Sequence, residues 1–352
     1  MDTKGYTFNS ENNFNLVRIC LSLCVVFFHC FELSQQPSLK FLAYLFNGER
    51  AVQAFFIISG YLIIKSYLRS GSSKEFFIKR IKRIYPAYFA LIITCAVLGC
   101  IISTLSIAQY FSSAELYKYL LSNLFFLNFI TPTLPGVFTE NTYATINGSL
   151  WTLKIEVGFY LLVPLIIFLK EKVNKHFLYG FLFLSSIGYF LLMKYLYIHN
   201  SNDNYLFLSR QIPGQLFYFV LGGWMAELEK NQYFINIVKR AGSLCIVVLF
   251  FPLPILVQSI LLALSVYFFA YSIPVINYPY RKEDVSFGLY IYHFPVIQIL
   301  VFYKFYSNNP FVGLALSLCI TFLLAILSWI FIEKPFIQKK KDLDVKLVDL
   351  VK

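Results

Sequence analysis

Charge is scarce in this chain. Only 14% of its 352 residues are Asp, Glu, Lys or Arg, against 58% hydrophobic residues that include 39 Phe and 26 Tyr. Soluble domains carry roughly 25% charged residues, so this composition excludes a water-soluble protein and describes a chain dissolved in lipid. Cysteine is sparse too. The seven residues (Cys20, Cys24, Cys30, Cys95, Cys100, Cys245, Cys319) are odd in number, lie in apolar segments and show no paired metal-ligand spacing. That argues against a disulfide framework and a thiolate metal site and for small core residues, with a nucleophilic thiol at Cys20 or Cys24 as the alternative. No cleavable signal peptide is expected either: the first apolar segment has full spanning length and carries Arg18 and Glu32, which do not suit a signal core. No internal repeat relates the two halves, which weakens a transporter reading, since such folds are often built from repeats.

What is present is a series of long apolar runs, at 14–33, 51–69, 85–106, 150–169, 177–198, 211–228, 241–254, 257–276, 286–305 and 310–333. Most match the roughly 20 residues that cross a ~30 Å hydrocarbon core. With no water at that depth to satisfy backbone groups, such segments must be helices. The expected fold is therefore all-α: a polytopic integral membrane protein of about ten transmembrane helices. Pro252 and Pro254 interrupt the run 241–276, which reads as a tight helical hairpin. Residues 119–130 are too short to span and read as re-entrant or interfacial.

Basic residues collect in the cytoplasmic loops of membrane proteins. Under the ten-helix reading, 22 of the 30 Lys and Arg fall on one side, while the other side holds only Lys40, Arg50, Lys118 and Arg210. Both termini are thus expected in the cytoplasm. The net charge of +12 follows from this asymmetry and from attraction to anionic lipid, so no nucleic acid partner is needed to explain it.

The first run carries two ionisable residues that a lipid-facing helix would avoid. Arg18 and His29 are eleven residues apart, which returns them to within roughly 20° of one face at a rise of ~16 Å. Buried ionisable groups in a membrane mark functional sites, and imidazole is suited to proton transfer near neutral pH. His29 reads either as a single helix–helix hydrogen-bonding histidine or as a general base, with Glu32 orienting it. Glu156 lies a turn or two inside the fourth run, too deep for a routine interfacial charge, and reads as a partner of an acceptor hydroxyl, a group polarising His29, or a structural ion pair.

These residues stand in ordered motifs. Arg18 and His29 are followed by Gly48-Glu49-Arg50-Ala51-Val52-Gln53-Ala54-Phe55-Phe56-Ile57-Ile58-Ser59-Gly60-Tyr61, then Arg80-Ile81-Lys82-Arg83-Ile84-Tyr85-Pro86, then Ser149-Leu150-Trp151-Thr152-Leu153-Lys154-Ile155-Glu156-Val157-Gly158-Phe159-Tyr160. Ser286-Phe287-Gly288-Leu289-Tyr290-Ile291-Tyr292-His293-Phe294-Pro295 and Glu333-Lys334-Pro335-Phe336 complete the set. The series resembles the type 3 membrane acyltransferases, the group containing O-antigen and capsule O-acetyltransferases. One departure is Gln53, where many members carry an acid.

The resemblance implies a membrane-bound O-acyltransferase of the bacterial inner membrane, multi-pass, moving an acetyl group from cytoplasmic acetyl-CoA to a hydroxyl of a cell-surface glycan. It implies His29 and Glu156 as catalytic residues, and Arg18, Arg80, Arg83, Ser59, Trp151 and His293 as substrate-binding residues. No metal or resident cofactor is implied; acetyl-CoA is the donor substrate, and the bilayer is the remaining partner. Arg80 and Arg83, three residues apart ahead of Pro86, suit phosphate recognition by planar guanidinium groups, although such clusters also anchor topology. His293 reads either as a packing or kink-satisfying residue ahead of Pro295 or as a chemical one. A single transmembrane acyltransferase domain is expected over 1–340, with a basic cytoplasmic tail at 341–352 and no appended soluble domain. The acyl group would pass through a slot bordered by the first, second and fourth helices, with Ser22 among its polar residues. Asn147-Gly148-Ser149 matches a glycosylation sequon by pattern only. The competing reading is a transporter or flippase of a lipid-linked glycan.

Overall fold

The computed structural model describes residues 12–248, 251, 253–278 and 283–337. Among the described residues all regular structure is helical. The main elements are α1 Phe14–Ser34, α2 Gly48–Leu68, α3 Ser73–Ile102, α4 Ala114–Leu124, α5 Trp151–Lys172, α6 Lys175–Asn200, α7 Ile212–Leu228, α8 Gln232–Val248, α9 Ile255–Tyr271, α10 Ser286–Phe302 and α11 Pro310–Ser328. A π-helical turn, Trp329–Glu333, continues α11. Every apolar run picked out in the sequence holds a helix. Six helical segments, Phe14–Ser34, Pro37–Leu68, Ser73–Ile102, Gly148–Lys172, Lys175–Asn200 and Pro310–Ile337, are long and apolar enough to cross a membrane. The helices α7, α8, α9 and α10 have 17 residues each, the short end of spanning length.

Where boundaries differ from the sequence reading, capping is the reason. α3 begins at Ser73 rather than 85, because the Ser72 hydroxyl accepts from the Glu75 N–H and satisfies an otherwise orphaned helix donor. The basic run carrying Arg80 and Arg83 is therefore part of the helix. α8 begins at Gln232 rather than 241, with the Asn231 side chain accepting from the N–H groups of Tyr233 and Phe234. The segment 119–130 is half helix and half turn. α4 has 11 residues, about 16 Å at 1.5 Å per residue, half of what a span requires. It rests on α3, where the Tyr88 hydroxyl donates to the Asn123 carbonyl at 2.6 Å, and exposes Tyr117 and Leu121 on its other side.

The chain divides into two compact units interleaved along the sequence. Unit 1 comprises Met1–Cys20, Gln53–Lys65 and Leu165–Asp284. Within it α7 crosses the Gln53–Lys65 part of α2 at very close range: a Cβ on Gly60 would lie 1.9 Å from the Phe219 carbonyl oxygen, and one on Gly222 1.9 Å from that of Ile57. Only glycine at both positions permits this approach, the usual way for apolar helices to gain dispersion contact where the hydrophobic effect is weak. α8 and α9 pack on each other, with Phe234 and Tyr267 rings 5.3 Å apart, as the hairpin reading of 241–276 requires; Pro254 caps α9. Pro252, the Arg281–Lys282 turn and the tail 341–352 lie outside the described residues.

Unit 2 comprises Leu21–Val52, Ser66–Pro164 and Val285–Lys352. Its core gathers Val26, Cys30, Leu33, Leu39, Leu42, Phe294, Ile297, Leu300 and Tyr306. That cluster ties α1 beyond Leu21 to α10 and to the short helix Phe305–Asn308, and fixes the distance between the two histidines described next.

Candidate active site

Unit 2 brings two histidines together. His29 on α1 and His293 on α10, 264 positions apart in sequence, stand with His29 Nδ1 3.0 Å from His293 Nε2. Backbone carbonyls assign the protons. His29 Nδ1 lies 3.0 Å from the Val25 oxygen, and His293 Nδ1 3.2 Å from that of Leu289. A carbonyl oxygen can only accept, so both Nδ1 atoms carry hydrogen. His293 Nε2 is then a lone pair that accepts from the His29 Nδ1–H, and His29 Nε2 is left as an unprotonated nitrogen. The Glu32 carboxylate sits 3.6 Å from that nitrogen, too far for a hydrogen bond but close enough to favour a proton arriving there. The Phe294 ring meets His29 edge-on, 5.3 Å between centroids. His293 is fully buried beside His29, as the packing reading of it expects.

A hydrogen-bonded clamp holds α10 against the start of α5. The Tyr290 hydroxyl donates to the Ser149 carbonyl at 3.1 Å and meets the Thr152 hydroxyl at 2.7 Å. Trp151 opens α5 directly after the 3-10 turn Gly148–Leu150. Glu156, five residues on, accepts a hydrogen bond from Tyr160. The Lys154 ammonium lies over the Phe129 ring at 4.1 Å, a cation–π contact. Ser22 is fully buried and donates to the Ser286 carbonyl at 2.9 Å. It therefore closes a contact between α1 and α10 and does not line an open path.

The two arginines of α3 differ. Arg83 pairs with Glu333 at 2.8 Å, and Glu333 is 1% exposed. The guanidinium also lies over Phe287 and Trp329, at 5.7 and 5.6 Å from the ring centroids. That pairing supplies a carboxylate partner which the sequence reading had not assigned. Arg80 reaches the Ser66 hydroxyl at a long 3.4 Å and lies over the Phe76 ring at 6.0 Å from the centroid, and its buried Nε meets no hydrogen-bond partner among the described residues.

Unit 1 holds the remaining two candidates. Arg18 is ion-paired with Asp284, and Ser59 is buried in the part of α2 crossed by α7. Nothing in the sequence pointed to Asp284 or Glu333 as partners, since each lies more than 200 residues from its arginine and an unpaired acid reads the same as a paired one. Unit 1 also carries a buried cluster absent from the sequence reading, in which Glu229 accepts from Lys65 at 2.6 Å and from the Tyr61 hydroxyl, itself 2.8 Å from Tyr271. Among the described residues no three His, Cys, Asp or Glu side chains gather as a metal site.

Residues 11–331 match the family described as an acyltransferase domain, acyltransferase 3. An O-acetyl transferase of Shigella phage Sf6 is 28% identical over 344 residues, covering 94% of this chain and 97% of its own length. Nodulation protein 10 of Rhizobium leguminosarum bv. viciae is 24% identical, covering 95% of each chain. No solved structure matches. With a family match over nearly its whole length, and with that family's ordered motifs gathered on its helices, this chain belongs to the acyltransferase 3 family.

Proposed function

We propose that the protein is a membrane-bound O-acetyltransferase that moves an acetyl group from cytoplasmic acetyl-CoA to a hydroxyl of a cell-surface polysaccharide such as O-antigen or capsule, in the bacterial cytoplasmic (inner) membrane. The observation that carries this reading is the free Nε2 of His29, with Nδ1–H directed at His293 and Glu32 at hand. The O-acetyl transferase name of the phage Sf6 relative supports acetyl as the group moved. Family membership favours the enzyme over a transporter or flippase.

In the proposed reaction an acceptor hydroxyl attacks the thioester carbonyl while its proton passes to His29 Nε2. The imidazolium so formed is stabilised by Glu32 through Coulomb attraction in a poorly solvated site. The C–S bond then breaks, the ester remains on the acceptor, and the coenzyme A sulfur takes the proton back from His29. Glu156 is assigned to the acceptor hydroxyl. Arg80 is assigned to a donor phosphate, because its buried Nε meets no partner among the described residues, and Arg83 serves the same site with Glu333 beside it. Arg18, Ser59 and Trp151 are assigned to substrate contact on the family resemblance alone.

Ten transmembrane helices with both termini cytoplasmic complete the proposal, as one domain over 1–340 with a tail at 341–352. The test is direct. Purified protein incubated with labelled acetyl-CoA and a polysaccharide acceptor should release coenzyme A and label the glycan. Glycan translocation without coenzyme A release would reject the enzyme in favour of the flippase. Mass spectrometry of the surface polysaccharide from cells with and without the gene identifies acyl group and acceptor together.

A further inference from the structure

We infer that Asn147 is a positioning residue for the His29–His293 pair, acting as the hydrogen-bond donor that Pro295 removes from α10. The inference rests on the reading of His29 as the base. Pro295 lies inside α10 and has no N–H, so the Ile291 carbonyl four residues back loses its helical donor. Asn147 supplies one: its Nδ2 donates to the Ile291 oxygen at 2.8 Å in a buried contact. The other end of the same amide is anchored, since Oδ1 accepts from the Ser149 N–H at 3.2 Å and from the Ser149 hydroxyl at 2.7 Å. The tripeptide that reads as a sequon is thus a latch on the proline-interrupted hydrogen-bond ladder of α10.

Its position bears on the site. His293 lies two residues past Ile291 and two before Pro295, at the point where a proline leaves a helix free to bend. Gly148 faces the Phe294 ring, where a Cβ would lie 2.9 Å from ring carbons, and Phe294 is the ring set edge-on to His29. One turn further along α10, the buried Gln298 side chain donates to the Tyr143 and Thr145 carbonyls at 2.6 and 2.7 Å. Asn141 donates in turn to Gln298 Oε1 at 2.9 Å. The segment from Asn141 to Ser149 therefore straps α10 on both sides of His293, and the Asn147 amide holds the carbonyl that Pro295 leaves open. A shift there moves His293 Nε2 away from the His29 Nδ1–H and frees the ring that must present Nε2.

The test uses the full chain in detergent, with Asn147→Asp, Pro295→Ala and the double variant. Aspartate keeps the shape and the Ser149 cap but offers no donor to Ile291, whereas Pro295→Ala restores the helical N–H. Asn147→Asp should lower kcat for acetyl transfer by about tenfold or more, as misplaced catalytic groups do, and leave KM for acetyl-CoA within about twofold. The double variant should return to within about threefold of Pro295→Ala alone, because the orphaned carbonyl is again satisfied. A change confined to KM, or a double variant as slow as Asn147→Asp, overturns the inference. If Asn147→Asp does not give monodisperse protein, Asn147→Ser is read by the same criteria. A second readout separates this inference from the enzyme reading: the rate at which diethyl pyrocarbonate modifies His29, followed by peptide mass spectrometry. If wild-type protein does not use acetyl-CoA but Asn147→Asp changes that rate and Pro295→Ala reverses it, the enzyme reading fails and the latch stands. If wild-type protein transfers acetyl and neither readout responds to Asn147→Asp, the latch fails and the enzyme reading stands.

Discussion

Which nitrogen of His29 is free matters more than that a histidine is present. With Nδ1–H shared between the Val25 carbonyl and His293 Nε2, the ring is held in one tautomer and one orientation, and Nε2 alone can take a proton. A positioned base of this kind contributes roughly 10²–10⁴-fold to rate, so His29→Ala should lose acetyl transfer by about that factor. Its elution profile in detergent should match wild type. Transfer at near wild-type rate would remove His29 from the chemistry. His293 gives a sharper contrast. As a substrate contact, the role the family resemblance implies, its replacement would raise KM; as the acceptor of the His29 proton it should lower kcat with KM for acetyl-CoA little changed. We expect the second outcome for His293→Phe, measured by coenzyme A release across donor concentrations.

Among the elements, α3 is where the two arginines part company. Glu333 is buried and hydrogen-bonded by the Ser328 hydroxyl at 3.1 Å as well as by Arg83, so the ion pair joins α3 to the π-helical turn after α11. Removing one member of a buried pair strands the other charge, at a cost of about 3–5 kcal/mol. Arg83→Gln should therefore lower the melting temperature in detergent by several degrees, whereas Arg80→Gln should weaken acetyl-CoA binding with little thermal effect. Equal thermal losses in both variants would show that Arg80 is as structural as Arg83. The helices themselves were legible in the sequence, because lipid thickness sets the length of an apolar run and backbone self-satisfaction sets its conformation. Their starts were less so, since Ser72 and Asn231 cap α3 and α8 inside polar stretches that hydropathy ignores. The partners were not legible at all. His29 with His293, Arg83 with Glu333 and Arg18 with Asp284 lie hundreds of residues apart, and no local period records which buried acid meets which base. Asn147 is an intermediate case: Pro295 announces an orphaned Ile291 carbonyl, but not which side chain answers it.

For the whole molecule the governing asymmetry is electrical. With 22 basic residues assigned to one side and four to the other, the opposite orientation would carry most of the positive charge across the membrane, against the bias that orients helices during insertion. The turn between α2 and α3 belongs to the basic side under this reading, and the segment after α3 to the outer side. Ser72 and Ser106, the residues that cap α3 and the short helix Ile107–Ser112, are exposed reporters of the two sides. In a cysteine-free background, Ser106→Cys should react with an impermeant maleimide added to spheroplasts, and Ser72→Cys only after permeabilisation. The same polarity predicts where the donor enters. Inverted membrane vesicles, which present the cytoplasmic face, should consume added acetyl-CoA, while right-side-out vesicles should not until they are opened. Labelling of both cysteines from the outside, or equal use of acetyl-CoA by sealed vesicles of either orientation, would place donor and acceptor on one surface. It would then reject transfer of the acyl group across the bilayer, while leaving the His29 chemistry to stand or fall on its own variants.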